Sequence, residues 1–446
     1  MFWPIPVLWR LRPNRPVALE LAVMGLVVVL AWLSVALPAV ALPVAAAPRS
    51  KAVAAPGLPA LGLAADALTV SGLSSGAYMA GQFQVAYSGS VAGAALLAGG
   101  PYGCARGAVT TAMYNCSCPA NPDALQRWRN LLPGLGCAVL PPAVLAVYAD
   151  AALAANRADI DDPRHLAAQR VWLFSGGHDE VVRPALVDAA EAFYRRQGVA
   201  DARLHRERVA DAGHGLPAPD APVVCSRTAT PYLNRCPGQD AAGELLAWLY
   251  GSQPTDALLP PLAPRAGGLR PFSQVPYRKA GVFDGLDDSG WLYVPAACEP
   301  GATAAGATPT AAATAATPTT PTTPTTPTTA AEPRCRLHVV FHGCQQGQRA
   351  AGPGGRPIGR QFVDGAGYNR WAEANRIVLL YPQVLASSPA RAGRTYQLNP
   401  EGCWDFWGYT DAQESLASPP QRYANRSAPQ LRAVKAMVDA LLRPVR

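Results

Sequence analysis

Short apolar runs that end in glycine or other small residues recur along the chain, and stretches with helical spacing separate them. The first run, residues 67–70, leads into a segment whose apolar positions recur at helical spacing from Tyr78 to Ala86. A second apolar run follows at 91–97, and the succession of strand, helix and strand is typical of a parallel sheet. We therefore predict an α/β fold in which helices flank a mostly parallel sheet.

The same alternation continues through most of the remaining chain. Further strands are predicted at 170–174, 204–209, 290–294, 337–341 and 377–381, and further helices at 184–196, 240–250, 361–375 and 428–442. Because the pattern is the same in both halves, we expect residues 62–446 to form a single domain.

A low-complexity segment interrupts this pattern at residues 299–334, where Thr-Pro-Thr-Thr-Pro repeats are flanked by alanine and threonine. Such a composition cannot bury a core and is typical of an extended, polyproline-like segment. The segment lies between Cys298 and Cys335 and between two predicted strands. We therefore expect an insertion within one domain, and a linker between independent domains is the alternative.

Composition limits the possible partners. The chain has 446 residues, of which 50% are hydrophobic and 15% are charged, so it can bury a large core. Its formal charge of +8 comes from scattered basic residues with no Lys/Arg cluster, which gives no indication of nucleic-acid binding.

The N-terminal residues 1–47 are typical of an export signal. Three arginines precede an apolar run at 21–37, and small residues follow at 39–41 and 45–47. Because the apolar run approaches the length that spans a bilayer, an uncleaved membrane anchor is the alternative. We expect a secreted protein with no stable membrane partner after cleavage, and a periplasmic or anchored location as alternatives.

The chain has ten cysteines, and an oxidising compartment would let this even number form disulfides. No Cys-x-x-Cys or His-x-x-x-His spacing is present, so no metal site is predicted. Sequence neighbourhood suggests the pairs Cys225 with Cys236, Cys298 with Cys335, and Cys344 with Cys403. The remaining cysteines, Cys104, Cys116, Cys118 and Cys137, would then pair among themselves in an irregular stretch.

The candidate chemistry begins with the pentapeptide Gly-Leu-Ser-Ser-Gly at residues 72–76, which has the form Gly-x-Ser-x-Gly. This form places a serine on a tight turn from a strand to a helix, so Ser74 is the predicted nucleophile. The amide of Ser75 would open the helix and face the group that Ser74 attacks. The alternative is a structural turn that requires only small residues.

Two partners for this serine follow other predicted strands. Asp179 and His214 each lie in a loop that leaves the carboxyl end of a strand, and such loops converge on one edge of a parallel sheet. The order serine, aspartate, histidine is that of α/β hydrolases, in which imidazole takes the proton of the serine and a carboxylate orients the imidazole. The alternatives are a helix-capping role for Asp179 and a structural role for His214. Asp159, Asp161, Asp162 and Glu180 are other candidates for the acid.

A second oxyanion donor, besides the amide of Ser75, is predicted in the loop His342-Gly343-Cys344, where another strand ends. This loop follows the whole triad in sequence, so the chain looks circularly permuted. His342 would line the substrate site, and a buried structural histidine is the alternative. The aromatic stretch 402–409 would add a substrate-binding wall through Trp404 and Trp407 if Cys403 is tied to Cys344, and it would otherwise be core.

Several motifs together resemble the extracellular poly(3-hydroxybutyrate) depolymerases, within them the group with a permuted catalytic domain. They are SGLSSGAYMA at 71–80, VAYS at 85–88, AGGPY at 98–102, FHGC at 341–344, GYNRWA at 367–372, LYPQ at 380–383 and GCWD at 402–405. The resemblance implies a circularly permuted α/β-hydrolase fold and a secreted serine esterase that cuts polyesters of 3-hydroxyacids without a cofactor. It assigns the triad to Ser74, Asp179 and His214, the oxyanion amides to Ser75 and Cys344, and a substrate contact to Trp404.

The expected partner is therefore a polyester polymer or its oligomers, and we expect a monomer. The Thr/Pro material is an insertion here, whereas many bacterial members carry it before a separate polymer-binding domain, so amorphous polymer, soluble oligomers or another ester could be the substrate. A feruloyl or acetyl-xylan esterase is the alternative enzyme, and a secreted, non-catalytic binding protein on a hydrolase scaffold is the alternative of another class.

Overall fold

The computed structural model describes residues 55–118, 137, 140–251, 257–302, 334–387, 398–411 and 422–445. The predicted export segment 1–47 and nearly all of the Thr/Pro insertion lie outside the described residues. Residues 54–446 form one compact unit. None of the helices in the described part of the chain is long and apolar enough to span a membrane.

An eight-stranded sheet forms the centre of the molecule. Its strands are β1 (Thr69–Leu73), β2 (Gly93–Leu97), β3 (Arg170–Gly176), β4 (Leu204–Val209), β8 (Leu269–Ser273), β9 (Ser289–Tyr293), β10 (Arg336–Phe341) and β11 (Ile377–Tyr381). The strand order is β4-β3-β2-β1-β10-β11-β9-β8, in which the six strands from β4 to β11 are parallel and β9 and β8 continue the sheet in antiparallel fashion. A small second sheet contains β5 (Leu216–Pro217), β6 (Val223–Val224) and β7 (Leu233–Arg235).

The register places β1 at the middle of the large sheet. Gly72 pairs with Leu96 of β2 on one side and with Phe341 of β10 on the other. Because all three strands run in the same direction, the loops that follow them begin side by side at one edge of the sheet. The strand β10 comes late in the sequence and yet lies beside β1, as the predicted circular permutation requires.

Helices cover both faces of the sheet. They are α1 (Ser75–Ala86), α2 (Val109–Tyr114), α3 (Pro142–Asn156), α4 (Pro184–Arg196), α5 (Ala241–Tyr250), α6 (Gln361–Gly365), α7 (Tyr368–Asn375) and α8 (Pro429–Leu442). Successive side chains of a strand point to opposite faces, so the near-complete burial of β1, β2, β3, β10 and β11 means that both of their faces are covered. Thus Leu96 packs in the core with α1 and α8, and its neighbour Leu97 packs in the core with α5 and α7. The edge strand β4 is buried only in part.

Several elements differ from the prediction. The helices α2 and α3 and the short strands β5, β6 and β7 were not predicted, and α2 lies in the stretch that was expected to be irregular. The single helix predicted over 361–375 is two helices, α6 and α7, because the backbone of Gly367 between them adopts a φ of 89°, outside the helical range. The edge strand β8 was not predicted, and it contains a proline, Pro271, which an edge position tolerates. The other predicted strands and helices lie within a few residues of their expected positions.

Five disulfides join all ten cysteines. The expected pairs Cys225–Cys236, Cys298–Cys335 and Cys344–Cys403 are confirmed. The four remaining cysteines form Cys104–Cys116 and Cys118–Cys137. Within the described ranges no group of three or more histidine, cysteine, aspartate or glutamate side chains is arranged to hold a metal ion.

Candidate active site

Ser74 lies between the end of β1 and the first residue of α1, at the carboxyl edge of the sheet. Its backbone has φ 58° and ψ −121°, a conformation that residues other than glycine seldom adopt. The amide of Ser74 donates to the carbonyl of Leu97 at 2.8 Å, which ties the turn to the neighbouring strand β2. The strained turn therefore holds the serine in one place at the start of a helix.

The two glycines of the motif are required by close backbone approach. A Cβ on Gly72 would lie 2.1 Å from the carbonyl oxygen of Gly76, and a Cβ on Gly76 would lie 2.3 Å from the carbonyl oxygen of Phe341. Both distances are far below van der Waals contact. The second glycine therefore allows α1 to begin directly against the end of β10.

Asp179 and His214 meet although 35 residues separate them. The Nδ1 of His214 lies 2.8 Å from Oδ2 of Asp179, and both residues are buried. The other carboxylate oxygen, Oδ1, accepts from the amides of Val181 at 2.9 Å and Val182 at 2.8 Å. These bonds close the turn in front of α4 and do not cap α4 itself, whose N-cap is Arg183.

The bond to Asp179 sets the chemistry of the imidazole. A carboxylate oxygen accepts the proton on Nδ1, which leaves Nε2 as the nitrogen able to receive another. The amide of His214 donates to Oγ1 of Thr228 at 2.9 Å, and its ring meets that of Tyr232 edge-on, with the centroids 6.0 Å apart. His214 is thus held through its imidazole nitrogen, its backbone amide and the contact of its ring with Tyr232.

The loop after β10, residues 342–347, is termed here the oxyanion loop. It lies beside Ser74, since a Cβ on Gly343 would be 3.4 Å from the Cβ of Ser74. The carbonyl of Gly343 accepts from Nδ1 of His342 at 2.7 Å and from the amide of Gln346 at 3.3 Å. Because the carbonyl of Gly343 and the amide of Cys344 belong to one planar peptide, these bonds also orient that amide.

The amides of Ser75 and Cys344 are free to act as donors. Neither donates a hydrogen bond to any residue that the structure describes. For Ser75 this follows from its position in the first turn of α1, where an amide has no partner within the helix. The twelve-residue helix also contributes the positive end of its dipole at this point. The arrangement can therefore receive a negatively charged oxygen.

His342, which was predicted to contact substrate, has no exposed surface. Burial lowers the pKa of its imidazole to about 4, so the ring is neutral at ordinary pH. Its Nε2 accepts from the amide of Val384 at 3.4 Å, and the proton therefore resides on Nδ1, which faces the carbonyl of Gly343. The structure thus places His342 beneath the oxyanion loop as a support and not on a surface that substrate could reach.

The two tryptophans differ in exposure. Trp404 is fully buried against Phe341, with ring centroids 5.0 Å apart, and its amide donates to Oγ of Ser75 at 3.3 Å. Trp407 is half-buried, and its ring meets that of Phe406 edge-on and lies tilted against that of Tyr409. The disulfide between residues 344 and 403 fastens this aromatic stretch to the oxyanion loop. Of the two predicted wall residues, Trp407 is the one with exposed surface.

Sequence reasoning missed the residues that support the site. Thr228, Tyr232 and Gln346 hold His214 and the oxyanion loop through contacts between distant segments. No motif marks them, although Gln346 lies only two residues after Cys344. The side chain of Gln346 is 1% exposed, and a buried amide of this kind signals a set of hydrogen bonds that only the folded structure reveals.

No protein-family model matches the chain. A poly(3-hydroxybutyrate) depolymerase of Delftia acidovorans is 33% identical over 369 residues, which cover 82% of this chain and 58% of that protein. The chain therefore spans less than two thirds of the length of that relative. A polyhydroxybutyrate depolymerase of Talaromyces funiculosus is 30% identical over 346 residues, which cover 75% of this chain and 80% of that protein.

Two solved structures are similar to the fold. The crystal structure of PHB depolymerase from Penicillium funiculosum has 26% identity and a TM-score of 0.60, and the match covers 86% of this chain and 98% of that one. A serine-to-alanine variant of PHB depolymerase complexed with R3HB trimer has 25% identity and the same TM-score and coverage. The eight-stranded sheet and its helices are therefore shared with proteins of this kind.

Proposed function

The chain belongs to the poly(3-hydroxybutyrate) depolymerase family, and we propose that it is a serine esterase that hydrolyses ester bonds of poly(3-hydroxybutyrate)-type polyesters or their oligomers. One observation supports this activity above the others. Ser74 lies on a strained turn beside two backbone amides, those of Ser75 and Cys344, that donate no hydrogen bond to any described residue. A hydrogen-bonded pair of Asp179 and His214 lies in neighbouring loops. Acyl transfer through a serine nucleophile uses this combination.

In the first half of the reaction, the hydroxyl of Ser74 attacks the ester carbonyl. Nε2 of His214 takes the hydroxyl proton as the new carbon–oxygen bond forms, and Asp179 holds the imidazolium. The ester bond then breaks, and the same proton passes to the departing alcohol oxygen. This half leaves an acyl group on Ser74 and releases a hydroxyl-terminated chain.

In the second half, water repeats the cycle. His214 takes a proton from water, the resulting hydroxide attacks the acyl carbonyl, and the proton returns to Ser74 as the acid product leaves. Within the described residues, no hydrogen bond of 3.5 Å or less joins the hydroxyl of Ser74 to His214. Catalytic hydrogen bonds are often long in free enzymes, so the proposal requires only that this bond forms when substrate is bound.

The oxyanion of each tetrahedral intermediate would be held by the amides of Ser75 and Cys344. Each lies at a rigid point, the first in the opening turn of α1 and the second in a peptide whose carbonyl accepts two hydrogen bonds. Donors that are already oriented need no rearrangement as charge develops, which is the reason such sites accelerate acyl transfer.

The remaining assignments belong to the same proposal. Trp407 and Trp404 would form the wall for the apolar acyl chain, the first by contact and the second by supporting the loop. The catalytic domain would comprise residues 62–446, with 299–334 as an insertion and 1–47 as an export signal. We further propose a secreted monomer, for which the five disulfides are suitable in an oxidising medium.

The test uses the exported chain with amorphous poly(3-hydroxybutyrate) film and with soluble 3-hydroxybutyrate oligomers, and identifies products by mass. Ser74→Ala should abolish product release, and Ser90→Ala, a change near the far end of α1, should not. A fluorophosphonate should label Ser74 in the unmodified chain and in Ser90→Ala, and it should not label Ser74→Ala.

Other outcomes would contradict the proposal in different ways. Release of feruloyl or acetyl groups without any action on the polyester would establish the alternative esterase. A chain that neither takes the fluorophosphonate label nor hydrolyses any of these esters would be a binding protein on a hydrolase scaffold. Film clearing that persists in Ser74→Ala would show that another residue is the nucleophile.

A further inference from the structure

Two glutamines of the oxyanion loop reach across to a segment of the chain more than 100 residues earlier. That segment, residues 228–232, is termed here the histidine support. It holds His214 from two sides, since Oγ1 of Thr228 accepts from the amide of His214 and the ring of Tyr232 packs against the imidazole. The contacts of these glutamines therefore join the two halves of the proposed catalytic machinery.

Gln346 makes the buried connection. Its Oε1 accepts from the amide of Gly343 at 2.5 Å, within the oxyanion loop. Its Nε2 donates to the carbonyl of Pro231 at 2.7 Å and to that of Tyr232 at 3.4 Å, within the histidine support. Because one planar amide serves both sides, a shift of either segment would break a bond in the buried interior, where lost hydrogen bonds are costly.

Gln345 adds a second connection closer to the surface. Its Oε1 accepts from the hydroxyl of Tyr232 at 2.8 Å, and its backbone has a φ of 59°. The amide of Gln345 donates to the carbonyl of Glu401 at 2.7 Å, close to the disulfide that anchors Cys344. The loop is thus fastened on both sides of the proposed oxyanion amide.

We propose that Gln346 is a positioning residue that holds the oxyanion amide of Cys344 and the base His214 in one fixed relation. The inference rests on the proposed serine esterase function. Gln346 does not touch the reacting atoms. It acts through Gly343 on one side and through Tyr232 on the other, so it links a donor and a base that follow strands β10 and β4.

The decisive variant is Gln346→Glu, which keeps the shape and the acceptor for Gly343 and replaces the donor toward Pro231 by a carboxylate oxygen. Esterase kcat per fluorophosphonate-titrated site should fall about 10- to 100-fold, because a displacement of about 1 Å at the reacting groups has an effect of that size. The KM should change less than about threefold, since no substrate contact is removed.

The pH dependence separates positioning from folding. At low pH the carboxylate that Gln346→Glu introduces becomes a neutral carboxylic acid, which can again donate to the carbonyl of Pro231. The ratio of variant kcat to unmodified kcat should therefore rise as the pH is lowered from about 8 to about 5. Counting only titrated sites well below the unfolding temperature removes the effect of stability.

Two further variants complete the test. Gln84→Glu is the matched control, since Gln84 is also buried and its Nε2 donates to an amide oxygen, that of Gln169, far along α1 from Ser74. It should lower the unfolding temperature without lowering kcat per site. Tyr232→Phe, which removes the hydroxyl that bonds Gln345 and Thr230, should lower kcat about threefold and should fold even if Gln346→Glu does not.

The outcomes distinguish the positioning role of Gln346 from the proposed esterase function on which it rests. If the unmodified chain is an active esterase and Gln346→Glu and Tyr232→Phe match its kcat within twofold, the positioning role is wrong and the proposed function stands. If the unmodified chain hydrolyses no ester, the proposed function fails first and the positioning role fails with it. An equal loss of kcat in Gln84→Glu would also overturn the inference.

Discussion

Two serines near the end of β1, Ser71 and Ser74, can each be compared with a histidine partner. Only the pair that contains Ser74 has the surroundings expected of a catalytic pair. Ser71 and His338 are hydrogen-bonded at 2.8 Å, and Nδ1 of His338 is bonded to Oγ1 of Thr69 at 2.7 Å. All three side chains are fully buried within the sheet. Burial lowers the pKa of His338 to about 3, so this imidazole stays neutral and bonds hydroxyl groups alone.

Ser74 and His214 have different surroundings. Ser74 lies at the sheet edge on a strained turn, and His214 has a carboxylate partner, Asp179, at 2.8 Å. A short distance between serine and histidine is therefore not what defines the site. A carboxylate that stabilises the imidazolium and a nearby pair of free amides are what the buried pair lacks.

Replacing each serine by alanine should give the largest difference between the two pairs. Ser74→Ala should lower esterase kcat by about 10⁵-fold or more, because it removes the nucleophile. Ser71→Ala should leave kcat within about tenfold and should lower the free energy of unfolding by about 1–2 kcal/mol, since a buried hydroxyl bond is lost. Initial rates and urea unfolding of both variants measure the difference. Comparable kcat losses in the two variants would contradict the distinction.

Removing the charge of the acid should have the next largest effect. Asp179→Asn should lower kcat by about 10⁴-fold with little change in the unfolding temperature, because an amide no longer stabilises the imidazolium. The adjacent change Glu180→Gln, at an exposed side chain, should leave kcat unchanged within about twofold. Steady-state kinetics of both purified variants give the result, and an active Asp179→Asn would remove Asp179 from the triad.

His338, the histidine of the buried pair, should affect how the free energy of unfolding depends on pH. His338 has a pKa of about 3 in the folded state and 6.5 as its ordinary value, so the unfolded chain binds more protons between these values. The stability that His338 contributes is therefore present above pH 6.5 and is lost as the pH falls toward 3.

His338→Gln should make the free energy of unfolding less sensitive to pH, by up to about 2–3 kcal/mol over two pH units below 6.5. Urea unfolding of both proteins across this range measures the difference. Parallel curves would show that His338 does not carry the expected proton linkage.

A buried acid outside both pairs extends the comparison to carboxylates. Asp179 has donors for both oxygens, whereas Oδ2 of Asp411 has no hydrogen-bond partner among the described residues. Burial, followed by repulsion from Asp405, raises the pKa of Asp411 from 3.8 to about 8. The folded chain therefore binds the extra proton between these values, and Asp411 reduces stability progressively as the pH rises through this range.

Asp411→Asn should therefore stabilise the protein by up to about 4 kcal/mol more at about pH 8.5 than at about pH 4.5. Thermal unfolding at the two pH values measures this, with the exposed Asp288→Asn as the control that should show no such difference. An equal effect of Asp411→Asn at both pH values would contradict the raised pKa.

The sequence could predict those parts of the fold that depend on local pattern. The buried strands are continuous apolar runs, the turn at Ser74 needs two glycines in fixed positions, and the cysteines close in sequence formed the expected pairs. The edge strand β8 was missed because its burial pattern is weak, with Phe272 its single buried residue. The break between α6 and α7 was missed because helical spacing continues through Gly367, and only its positive φ shows the interruption.

The same division holds at the site. The sequence alone determined the strand ends at which a serine, an aspartate and a histidine would lie, because strand and turn preferences act over a few residues. Only the tertiary structure decided that His342 lies under the oxyanion loop, that Trp404 is buried, and that Gln346 is hydrogen-bonded to both the oxyanion loop and the histidine support. These features depend on which distant backbone groups meet in the packed interior, and hydrogen bonds there are formed between segments whose separation along the chain carries no local signal.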